Sequence, residues 1–144
     1  FRPAERYEEF RDRSDAVLAQ TGSRPRAFLA TIGPLAAYTA RAGFARNLLQ
    51  AGGIETPEAG PTETAEDVVA AFREAGTPVA VLCSTDALYA ERAEETAAAL
   101  RAAGAAYVLL AGTAEVPGVD GRLAAGCDAL AVIESVYRAL EVQA

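Results

Sequence analysis

The run VAVLC, from Val79 to Cys83, has no polar interruption. A strand with one wet face alternates apolar and polar residues. A strand that is apolar at every position has to be covered on both faces, as in a parallel sheet sandwiched between helices. The flanking segments supply that cover. GPTETAEDVVAAFREAG precedes the run and TDALYAERAEETAAALRAAG follows it, each an amphipathic pattern closed by a glycine, Gly76 and Gly104. The first has a helix start in Thr62 or Thr64, with Glu66 and Asp67 suited to the positive end.

The same grammar runs along the chain. PAERYEEFRDRSDAVLAQTG reads as an amphipathic helix with Tyr7, Phe10, Val17 and Leu18 near one face. RAFLATI reads as a first strand, and AYTARAGFARNLLQA as a helix closed by Gly52 and Gly53. A short second strand is expected around Ile54, with VAVLC as the third and AAYVLLAG as the fourth. TAEVPGVDGRLAAG reads as a loop, CDALAVI as a fifth strand and ESVYRALEVQA as the last helix. Alternating strands and helices predict right-handed crossovers and a parallel sheet. The fold expected is α/β, a flavodoxin-like three-layer sandwich with a five-stranded parallel sheet in the order 2-1-3-4-5 and an extra N-terminal helix. Residues 1–24 form a linker helix and 25–144 the domain proper. A ligand crevice is expected at the C-terminal edge, near strands one and three.

Composition removes several functions. The 144-residue chain contains no histidine, so it offers no Ser-His-Asp triad, no imidazole base and no imidazole metal ligand. All 13 basic residues are arginine, read here as coding bias rather than as a set of bidentate anion contacts. A net charge of −7 argues against nucleic acid as a partner. No apolar run is long enough for a membrane span, and the charged start has no signal-peptide core. Cys83 and Cys127 are far apart and read as buried thiols of a cytoplasmic protein. The absence of an initiator Met suggests a piece of a longer polypeptide.

The candidate loops are poor in chemistry. TIGPLAAYT, after the first strand, has a single glycine, no Walker lysine and no acidic pair, which excludes a phosphate loop and a phosphoacceptor site. CSTD, after the third strand, offers Ser84 and Thr85 to a ligand, although Thr85 or Ser84 as a helix cap explains it as well. Tyr38 and Tyr89 are the tyrosines placed to line the crevice. The glutamate-rich face ERAEETAAALRAAG reads as solvated, with Arg92 and Arg101 at helical spacing from acids.

Four stretches, ATIGPLAAYTARAGFARNLLQAGGIE, VAVLCSTDALYAERAEETAAALRAAGA, YVLLAG and AGCDALAVIE, resemble the C-terminal domain of the small subunit of methylmalonyl-CoA mutases, over nearly the whole chain. The resemblance implies a heterodimeric, adenosylcobalamin-dependent isomerase that interconverts methylmalonyl-CoA and succinyl-CoA. It also implies an acyl-CoA-binding barrel ahead of this domain and a large-subunit partner that alone holds cobalamin. The family's cobalamin motif, D-x-H-x-x-G, falls here on Leu35, Ala37 and Ala40, with the cobalt-ligating histidine replaced by Ala37. The S-x-L element falls on Cys83 to Thr85, and a double glycine becomes Ala111-Gly112. The resemblance therefore implies a kept fold without catalytic residues, metal or bound cofactor. Ser84, Thr85 and Gly112 are the weak candidates for cobalamin held without a protein histidine ligand. A small enzyme or sensor unrelated to cobalamin is the remaining alternative, and requires a deep polar crevice near Ser84, Thr85 and Asp86.

Overall fold

Four parallel strands form the sheet of the computed structural model, which describes residues 3–143, with side chains for 7–140. They are β1 (Phe28–Thr31), β2 (Val79–Cys83), β3 (Tyr107–Ala111) and β4 (Gly121–Leu123), in the order β1-β2-β3-β4. The helices are α1 (Pro3–Thr21), α2 (Leu35–Ala51), α3 (Ala65–Ala75), α4 (Asp86–Leu88), α5 (Glu94–Ala102) and α6 (Ala129–Gln143), with a π turn over Tyr89–Ala93 between α4 and α5. Among the described residues no helix is long and apolar enough to cross a membrane.

The apolar strands divide by the two-residue period of a pleated chain. Leu29, Val81, Cys83, Leu109 and Ala111 face a core shared with α1, α2 and α6. Phe28, Ala30, Leu82, Val108 and Leu110 face the core under α3 and α5. Both layers are dry, as expected for VAVLC, whose five residues are all buried. α3 starts on Thr64, whose hydroxyl accepts the Asp67 amide while the Asp67 carboxylate accepts the Thr64 amide; Gly76 ends it in the left-handed region. Thr62 does not cap. It donates to Thr31 O at 2.7 Å and ties the loop to β1.

The expected sheet is corrected at three places. The sheet has four strands, not five in the order 2-1-3-4-5. The chain after Gly53 does run beside β1, bridging Arg26 to Glu55 and Leu29 to Glu58. It does not become a regular strand: Pro57 has no amide to give to a ladder. CDALAVI is not a strand but the start of α6. Asp128 accepts the Ala131 amide at 3.1 Å, and Ile133, Val136 and Tyr137 are buried at helical spacing. The fourth strand instead comes from GRL, inside the segment read as a loop. Asp120 sets it up, accepting the Val108 amide and pairing with Arg101. Ala144, the last residue of the predicted final helix, lies outside the described residues.

α1 packs against α6 through stacked Phe10 and Tyr137 rings, 5.4 Å between centroids. Its buried face is Phe10 and Ser14, with Tyr7 and Val17 partly covered; Leu18, expected on that face, is exposed. At the N-terminal edge of the sheet the Tyr137 hydroxyl lies 2.7 Å from Gly52 O and 3.0 Å from Phe10 O, and Ser14 donates to Gly53 O at 2.6 Å. These contacts join α1, α2 and α6 at the Gly52-Gly53 turn.

Candidate functional site

In an open α/β sheet a ligand enters between the loops that follow the strands flanking the reversal in strand order. Residues 55–58 bridge to one side of β1 and β2 pairs with the other, so the winding reverses there and those loops are residues 32–34 after β1 and 84–85 after β2. Hydrogen bonds within the protein link the ends of β1, β2 and β3 here. Ser84 is fully buried and its hydroxyl donates to Ile32 O at 2.7 Å, tying one loop to the other. Tyr89, at the start of the π turn, places its hydroxyl between the ends of β2 and β3. It accepts the Ser84 amide at 3.0 Å and lies 2.6 Å from Ala111 O and 3.1 Å from Leu82 O, two acceptors for its one proton. Burial, with the neighbouring Cys83 second, pushes the Tyr89 phenol well above its ordinary range.

Arg41 closes the site from the other side. Its guanidinium leaves α2, donates to Ser84 O at 2.9 Å and to Asp86 Oδ1 at 2.8 Å, and lies 5.3 Å from the centre of the Tyr89 ring. The hydrogen bond to Asp86 is the main reason its pKa is raised. Gly112 belongs to the same arrangement. Its φ is +135°, and a Cβ there would stand 3.1 Å from Arg41 Cζ, so the glycine makes room for the guanidinium. Arg41 carries no local sequence signal, because its partners lie 43 and 45 residues away.

The residues singled out from the sequence sit as follows. Leu35 opens α2 and is 60% exposed, Ala37 is half-buried and Ala40 is exposed. They lie on the first turns of one helix and present methyl and isobutyl groups, none of which can ligate a metal. Thr85 caps α4, accepting the Leu88 amide at 3.2 Å. A Cβ at Gly33 would stand 2.7 Å from Leu88 Cδ1, so the first loop and α4 are already in contact. Tyr38 is buried in the core under α2, and of the two tyrosines Tyr89 is the one hydrogen-bonded at the strand ends. Arg101 pairs with Asp120 rather than along its helix, and Arg92 forms no ion pair. Among the described residues no group of histidine, cysteine or acidic side chains could hold a metal ion.

The two cysteines differ sharply. Cys83 is completely buried, and burial followed by Glu58 raises its thiol pKa far above the ordinary value. Cys127 is partly exposed. In a titration with an aromatic disulfide reagent, one thiol is expected to react in the native chain and the second only on unfolding. Two thiols reacting at equal rates would contradict this burial.

The chain aligns with a methylmalonyl-CoA mutase small subunit from Streptomyces virginiae at 52% identity over 131 residues, 91% of the chain. By sequence it is a homologue of methylmalonyl-CoA mutase small subunits. A second such small subunit, from Propionibacterium freudenreichii subsp. shermanii, is 36% identical over an alignment covering 98% of the chain. The chain spans about a fifth of the length of these curated relatives, 21% and 23% respectively. No family model matches it.

Proposed function

We propose that the chain is the cobalamin-binding-like domain in the C-terminal part of a methylmalonyl-CoA mutase small subunit, and that it acts there as a structural element without catalysis or cofactor of its own. The partner is the large subunit, which carries the adenosylcobalamin-dependent interconversion of methylmalonyl-CoA and succinyl-CoA. An acyl-CoA-binding barrel ahead of this domain completes the small subunit. The names of the relatives support the family, and the word small implies a larger partner.

One observation supports the non-binding reading: Ser84, Tyr89 and Arg41, at the ends of β1, β2 and β3, are hydrogen-bonded to the protein itself rather than left open to a ligand. The residues present do not fit cobalamin. With no histidine in the chain, Ala37 has no neighbour able to replace an imidazole ligand to cobalt. Of the groups that would hold the cofactor without such a ligand, Ser84 is buried and donates its proton to Ile32 O, Gly112 lies against the Arg41 guanidinium, and Thr85 accepts the Leu88 amide as a helix cap. An unrelated enzyme or sensor would need Ser84 to face a polar crevice, whereas Ser84 is fully buried and bonded to Ile32 O.

Equilibrium dialysis against adenosylcobalamin tests the reading. No retention and no change in the cobalamin absorption spectrum are expected at micromolar protein. Retention with the spectrum of cobalamin that has kept its own base would establish the alternative, a binding module without a protein ligand to cobalt.

A further inference from the structure

A second cleft adjoins the loop after β1 at Ile32 and lies between the start of α3 and the π turn with α5. It is a cleft of about 250 Å³, lined among others by Glu63, Thr64, Val68, Arg92, Glu95 and Thr96. Thr96 is only 2% exposed, yet its hydroxyl makes no hydrogen bond to the protein. Every fully buried side-chain polar atom among the described residues has a partner. The small exposed part of Thr96 therefore includes its hydroxyl, and Thr96 lines this cleft. A nearly buried hydroxyl that has no protein partner and opens only onto a cleft is available to whatever occupies that cleft.

Arg92 is the second anomaly. Among the described residues it alone combines partial burial with a guanidinium that has neither an ion pair nor a hydrogen bond. Glu63 and Glu95, on the same cleft, are also without ion pairs, so charges of both signs are present but not joined to one another. Thr64 uses its oxygen to accept the Asp67 amide, which leaves its proton to donate. A simple anion would meet Arg92 and the Thr96 and Thr64 hydroxyls but be repelled by two carboxylates. A simple cation would suit the carboxylates and be repelled by Arg92.

We propose that this cleft binds a small zwitterion, an α-amino acid with a short aliphatic side chain. Its carboxylate would sit on the planar fork of Arg92 and the Thr96 hydroxyl, and its ammonium group between Glu63 and Glu95. The volume is below the roughly 300–1,000 Å³ of sites for larger ligands, which restricts the occupant to a few heavy atoms. The aliphatic part has a place to go. The cleft shares Thr62, Glu63 and Arg92 with a neighbouring one lined by Pro34, Pro61 and Leu88.

The test is a titration of the isotope-labelled chain followed by its amide NMR signals. The ligands are L-valine, isovalerate, which lacks the ammonium group, and isobutylamine, which lacks the carboxylate. Saturable shifts confined to the amides around Thr64, Arg92 and Thr96 are expected with valine, and about tenfold weaker binding with either partial analogue. Thr96→Val, which keeps the shape, and Arg92→Gln are each expected to weaken valine binding about tenfold or more. Thr96→Val should also leave the melting temperature unchanged or higher, because it removes an unpartnered hydroxyl. Absence of a saturable shift with valine would overturn the site. Equal binding of isovalerate would overturn the zwitterion in favour of a plain carboxylate, and full binding by Thr96→Val would remove the observation on which the site rests.

Discussion

Replacing Gly53 by alanine is expected to destabilise the chain by about 3 kcal/mol. Gly53 has φ +80°, where a side chain costs about 1–2 kcal/mol. Its added Cβ would also stand 2.6 Å from Ser14 Cβ. Ser14 cannot withdraw without losing its bond to Gly53 O and loosening α1 from the turn. For a domain of this size the loss amounts to about 10 °C in melting temperature. Calorimetry on three proteins checks the account. Gly53→Ala should melt early, and Ser14→Gly in that background should recover part of the loss by removing the clash. Gly43→Ala, in the middle of α2 with nothing within 4 Å of the new Cβ, should instead stabilise by about 0.5–1 kcal/mol. A Gly53→Ala protein melting with the wild type would mean the turn does not hold the three helices as described.

Tyr89→Phe is expected to cost about 2–3 kcal/mol in urea unfolding, with the ring packing unchanged. The loss is polar: the buried Ser84 amide loses its acceptor, and Ala111 O loses a 2.6 Å donor. The pH dependence separates this from a packing defect. Burial raises the Tyr89 pKa above its ordinary value near 10, because the neutral phenol is the form that fits. A raised pKa contributes stability that is fully present below pH of about 10 and is lost as the pH climbs through the folded-state value. Tyr137, pushed up to about 12 chiefly by burial, adds a similar loss between pH 10 and 12 in both proteins. The wild type should therefore lose stability above pH 10 faster than Tyr89→Phe, and the gap between them should narrow. A constant gap from pH 7 to 11 would show that the phenol is not held neutral by its surroundings.

The wrong strand assignments have separate causes. CDALAVI is apolar at six of its seven positions, so neither a period of two nor one of 3.6 can be read from it. Its conformation is settled by the core it meets, where Ile133, Val136 and Tyr137 reach α1 and α2 at helical spacing. The true fourth strand, GRL, is three residues long and looks like loop, because Asp120 and the edge of β3 hold it in place rather than its own propensity. In the site, Ser84 and Thr85 were visible from their position after a strand, and so was the cap on Thr85. Arg41 was not, since nothing near it in the chain distinguishes it from the other arginines.

What the chain order alone settles is local. Dry strands follow from unbroken apolar runs, helix ends from Thr64, Thr85 and Gly76, and the impossibility of histidine chemistry from composition. What depends on the folded arrangement is the closure of the first crevice and the opening of the second cleft. Arg41 meets Ser84 and Asp86 across 43 and 45 residues, Tyr89 meets Ala111 across 22, and Arg92 is left without a partner beside Thr96. Hydrogen bonds and charge pairs act over a few ångströms, so which polar groups satisfy one another is decided only when crossovers bring distant loops to one edge of the sheet.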